Sequence, residues 1–92
     1  MMDKLTSPKQ KVFVIKDDKS IVYGSPITAP TRGMFLREIM DKVNEGQAYF
    51  AKHPMDFSLF EIGEYDPDLG AMVPYEVKQC LGLVQDLLGA KQ

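Results

Sequence analysis

Apolar and polar positions along this chain fall into two rhythms, one of period two and one of helical period. KVFVIK (11–16) is rich in β-branched and aromatic residues, and SIVY (20–23) resumes that pattern after the polar DDK (17–19). The run reads as a hairpin. GSPITAP (24–30) carries two prolines, so a strand continuing there lies at an edge or ends. Thr31 is placed to cap a helix in RGMFLREIMDKVNEG (32–46). There Leu36, Ile39, Met40 and Val43 recur at helical spacing, opposite Arg37, Glu38, Asp41, Lys42 and Glu45, and Gly46 is the expected stop.

The second half repeats the punctuation. QAYFAKHP (47–54) is a connector with two aromatics that need cover, FSLFEIGEY (57–65) a strand, and DPDLG (66–70) a turn. Pro67 supplies a fixed φ, Asp66 a carboxylate for the turn amides, and Gly70 the permissive exit. AMVPY (71–75) returns as a short strand marked as an edge by Pro74. EVKQCLGLVQDLLG (76–89) places Val77, Cys80, Leu81, Val84, Leu87 and Leu88 on one helical face, with Gly82 inside at a cost of roughly 1 kcal/mol relative to alanine. The expected fold is α+β, in the order ββαββα: a four-stranded, mainly antiparallel sheet with two helices packed on one face. Residues 1–10 read as a flexible N-terminal tail and 11–89 as a single domain. Phe60 and Ile62 are expected on the strand face that meets the helices.

Composition narrows the function classes. Ninety-two residues, 45% hydrophobic and 26% charged, are ordinary for one small soluble domain. No apolar stretch approaches the ~18–20 residues of a membrane span, and MMDKLTSPKQK lacks the apolar centre of a secretory signal. One cysteine, Cys80, fits a reducing cytosol. The net charge of −2 hides an asymmetry: residues 1–53 hold nine Lys/Arg against six Asp/Glu, and residues 54–92 hold two against seven.

The candidate chemistry centres on HPMDFSLFEIGEYDPDLG (53–70), which contains the single histidine, His53, and five acids. Glu61 and Glu64 are three apart on a strand and point to opposite faces, and Asp66 and Asp68 belong to the turn. No second histidine or thiol stands at ligand spacing, and no glycine-rich phosphate loop is present. The stretch therefore reads as a hairpin, and the chain as non-enzymatic, with no cofactor and no metal. Nucleic-acid binding has more support. Lys9, Lys11, Lys16, Lys19, Arg32 and Arg37 crowd the first half as candidate phosphate contacts, with Tyr23, Phe35, Tyr49 and Phe50 as candidate stacking faces. A pI near 5.3 argues against a dedicated binder, which keeps a protein–protein module equally open on the residues alone.

The run 53–70 also resembles the signature of a small non-structural protein family of gokushovirus-type single-stranded DNA phages (Microviridae). The matching positions are His53, Pro54, Asp56, Leu59 to Glu64, Asp66 and Gly70, and the hairpin and threonine-led helix upstream and Cys80–Gly82 downstream agree with the pattern. The resemblance implies a DNA-binding role in the host bacterial cytoplasm, assisting the switch from duplex replication to single-strand synthesis and genome packaging. It brings no catalytic residues. Single-stranded DNA is the partner it implies. The alternative is a module acting on the replication initiator or procapsid without touching DNA, and self-association of the small domain is a third reading.

Overall fold

The alternation in QKVFVIKD builds the central strand, β1 (Gln10–Asp17). Phe13 and Ile15 point to one face and Val12 and Val14 to the other, and all four are buried. The computed structural model describes residues 7–89, so residues 1–6 of the expected tail lie outside the described residues. One edge of β1 is lined in succession by β2 (Val22–Tyr23) and β3 (Ile27–Ala29), both antiparallel to it. Pro26, which has no N–H to offer a ladder, lies in the gap between them. The other edge of β1 pairs with β4 (Phe57–Asp66), and β4 pairs with β5 (Ala71–Leu83). The sheet is antiparallel throughout, in the order β2-β1-β4-β5, with β3 beside β1.

α1 (Arg32–Glu45) starts and stops where its residues demand. The Thr31 hydroxyl accepts from the Met34 N–H at 3.1 Å, and Gly46, at φ 74°, donates its N–H to the carbonyls of Lys42 and Val43. The connector that follows forms a single turn, α2 (Tyr49–Lys52), which buries Phe50. A short 3-10 turn (Pro54–Asp56) leads into β4, and α3 (Val84–Gly89) ends the described chain. Phe35 stacks on Phe13 with ring centroids 4.1 Å apart and planes 3° from parallel. Ile15, Ala29, Ile39, Phe50, Phe57, Leu59 and Val84 complete the core, so α1 and α3 lie on the same face of the sheet.

Two expectations are corrected. The last helix does not span 76–89: β5 continues to Leu83 and only Val84–Gly89 is helical. A return strand ending at Tyr75 would leave half of the ten-residue β4 with an open edge. Pairing Ser58–Glu61 with Gln79–Leu83 fills it, and Gly82, at φ 114°, turns the chain into α3. Cys80 is accordingly exposed on a strand, not packed in an apolar stripe. The second correction concerns the face of β4. Phe57 and Leu59 join the core, whereas Phe60 pairs with Val14 and Cys80 on the side away from the helices, and Ile62 sits at an irregularity opposite Val12–Phe13.

Candidate nucleic-acid interface

On the helix face, beyond the edge of the apolar core, a polar node gathers around Glu61. Its position opposite Phe13 leaves it 3% exposed. One carboxylate oxygen accepts from Arg32 Nε at 2.9 Å and the other from the Tyr75 hydroxyl at 2.6 Å. Arg32 also donates to Gln79 at 2.7 Å. Burial opposes ionisation of Glu61, but the Tyr75 and Arg32 hydrogen bonds outweigh it and hold the carboxyl below the usual range. The same contact pushes the Tyr75 hydroxyl up. Next to this node Lys11 donates to Glu64 at 2.8 Å, which raises the lysine's pKa.

The opposite sheet face carries a different arrangement. Tyr23 on β2 leans over β1 to meet Phe60 on β4 edge-on, centroids 5.7 Å apart, and stays 40% exposed. Lys16 from β1 and Lys78 from β5 each bring their amine to 5.5 Å from the centre of the Tyr23 ring. An aromatic face flanked by two ammonium groups can stack a planar base and hold the phosphates on either side of it. Asp18 also lies here. It accepts from the Ser58 hydroxyl and stands 3.9 Å from Lys16.

The six candidate cations are spread over the molecule. Lys16 lies in the aromatic cluster, and Lys19 sits in the β1–β2 turn. Lys9 is 3.9 Å from Asp66, Lys11 is bound to Glu64, and Arg32 is bound to Glu61. Arg37 is exposed on α1. Of the candidate stacking faces, Tyr23 and Tyr49 are exposed, while Phe35 and Phe50 are core residues and offer no free ring. Lys78 is hidden from sequence reasoning because the apolar positions of 76–88 also satisfy a helical period. The length of β4, which needs a partner along its whole edge, was the signal that its strand continues.

His53 is exposed and shares a shallow open groove of about 340 Å³ with Asp17, Lys19, Asp56 and Phe57. The Asp17 carboxylate there accepts the backbone N–H groups of Ser20 and Lys19; the Ser20 bond above all holds its pKa below the ordinary range. Asp66 accepts from the backbone of Asp68 and Leu69, as a turn aspartate does. No group of three or more His, Cys, Asp or Glu among the described residues is arranged to hold a metal ion. Among the described residues no helix is long and apolar enough to cross a membrane.

No curated protein and no solved structure matches the chain. A family model described as Phage ORF5 protein matches residues 10–87, from the first residue of β1 into α3, and so takes in the whole sheet, both of its faces and the Glu61 node. With that span covered, the chain belongs to the Phage ORF5 protein family and is a bacteriophage protein.

Proposed function

We propose that this phage accessory protein is non-enzymatic and binds single-stranded DNA through the sheet face turned away from its helices. On this reading it works in the cytoplasm of the infected bacterium and assists the passage from duplex replication to single-strand synthesis and packaging. The observation that carries the reading is the Tyr23 ring, exposed beside Phe60 and flanked by Lys16 and Lys78. A base stacked on Tyr23 contributes about 1–3 kcal/mol without regard to its identity. The amines of Lys16 and Lys78, each 5.5 Å from the ring centroid, supply positive charge for phosphates beside a base stacked there. The resemblance of 53–70 to the gokushovirus-type non-structural proteins agrees with such a role. Anisotropy of a labelled oligonucleotide tests it: binding at low salt that weakens with a slope of ~0.7 per phosphate in log K against log[salt] is expected. Absence of binding at low salt overturns it.

A second reading has its own observation. Beyond Gly63 the β4–β5 hairpin leaves the core, residues 67–74 are exposed throughout, and Leu69, Met72 and Val73 present apolar surface beside Glu64, Asp66 and Asp68. Acids repel a phosphate backbone, so this arm suits a protein, such as the replication initiator or procapsid, or a second copy of the chain. Capture from infected cells with and without nuclease separates the readings. Partners that survive nuclease belong to the arm, and partners lost with the nucleic acid belong to the sheet face.

A further inference from the structure

We propose that Tyr75 and Glu61 are positioning residues for the nucleic-acid face, holding a bulge in β5 that carries Lys78 over the Tyr23 ring. This rests on the sheet-face reading of function for its consequence, though not for its geometry. Gly63 pairs with Pro74 and Glu61 with Gln79, so the single residue Ile62 on β4 stands against four on β5, Tyr75 to Lys78. Those four residues have no regular ladder with β4, and Val77 among them is 75% exposed. What fixes them is the node on the helix face. Tyr75, the first of the four, donates its hydroxyl to Glu61 at 2.6 Å. Gln79, immediately after the last, accepts from Arg32 at 2.7 Å, and Arg32 binds the second Glu61 oxygen at 2.9 Å. Both ends of the bulge are thus tied to one buried carboxylate.

Alternation sends Tyr75 and Gln79 to the helix side and Lys78 to the other. Lys78 emerges there with its amine 5.5 Å from the Tyr23 centroid, the same distance as that of Lys16. Bulges re-aim side chains in this way, and an irregular four-residue segment without an anchor samples many directions. The Glu61 node therefore acts through Lys78: it touches no nucleic acid, yet it sets where the second cation of the binding face stands.

Tyr75→Phe removes the hydroxyl and keeps the ring, so it releases one end of the bulge with little change in packing. Two readouts decide the matter. In the proton NMR spectrum of the wild type, the ε-methylene signals of Lys78 are expected upfield, shifted by the Tyr23 ring current. In Tyr75→Phe they are expected near free-lysine positions, while the arm-tip variant Asp66→Ala leaves them in place. Against a labelled thymidine oligonucleotide, Tyr75→Phe is expected to lower the salt slope by ~0.7, one phosphate contact. Added to Lys78→Ala, it is expected to have no further effect. Unmoved Lys78 signals in Tyr75→Phe, or an equal loss of affinity with Lys78 already absent, overturn the proposal. A wild type that binds no oligonucleotide defeats the sheet-face reading instead, and the Lys78 signals still decide the positioning.

Discussion

Glu61 joins β4 to α1 through Arg32 and to β5 through Tyr75. It is buried, charged and fully partnered, an arrangement that is weak evidence for net stability but costly to break. Replacing it with glutamine leaves Arg32 without its ion pair and is expected to destabilise the fold by about 2 kcal/mol, read by urea denaturation at neutral pH. The sign of the pH dependence follows from its lowered pKa. A carboxyl whose folded pKa lies below its unfolded value of about 4.3 contributes stability above that value and loses it as pH falls through the folded pKa. The gap between wild type and Glu61→Gln is therefore expected to be constant from pH 5 to 7 and to shrink in acid. A gap that widens in acid contradicts the assignment. His53 is the contrasting case. Exposed and making no side-chain capping hydrogen bond, it shapes the chain between α2 and the 3-10 turn through its backbone (φ −136°, ψ 63°) and not its imidazole, so His53→Gln is expected to leave melting temperature and oligonucleotide affinity unchanged. Loss of binding at constant melting temperature revives the groove beside it as a site.

At the scale of elements, one face of the sheet carries the apolar core and the other the Tyr23–Phe60 cluster with Lys16 and Lys78. Phe13 is fully buried against Phe35, so Phe13→Ala is expected to cost about 3–5 kcal/mol in urea denaturation. Phe60 is only half-buried beneath Tyr23, and Phe60→Ala is expected to cost about half as much while weakening oligonucleotide binding. Equal costs for the two variants contradict the assignment of faces. The elements whose signals are local were legible in the residues. Thr31 and Gly46 bound α1, Asp66 and Gly70 make the hairpin turn, and KVFVIK is a strand because nothing else suits it. The face of Phe60 was not legible, because alternation in FSLFEI marks two faces without saying which one meets the helices. The end of β5 was hidden for a stronger reason. Val77, Cys80, Leu81 and Val84 satisfy a helical period, and the force that overrides it is the unpaired edge of β4, some twenty residues earlier in the chain. The candidate site inherited that error. Lys16 and Tyr23 stand out in the sequence, whereas Lys78 takes its place only through the pairing of β5 with β4.

For the whole molecule, the Cα radius of gyration is 14.9 Å, against about 12 Å for a compact domain of this length. The excess belongs to a body 51 Å long and 19 Å thick, with the acidic arm leaving the core. Charge is sorted by surface more than by net value: Lys9, Lys11 and Arg32 stand beside Asp66, Glu64 and Glu61, while Lys16, itself 3.9 Å from Asp18, and Lys78 lie about the exposed Tyr23 ring. That sorting lets an acidic chain offer a local cationic, aromatic platform. The most direct test is a titration of a labelled thymidine oligonucleotide at several salt concentrations, comparing wild type with Tyr23→Ala and with Lys16→Ala/Lys78→Ala. The account predicts that Tyr23→Ala weakens binding by about 1–3 kcal/mol with the salt slope kept. It predicts that the double lysine variant loses about 1.4 from that slope, and that each variant unfolds cooperatively. Wild-type affinity and an unchanged slope in both variants would contradict it.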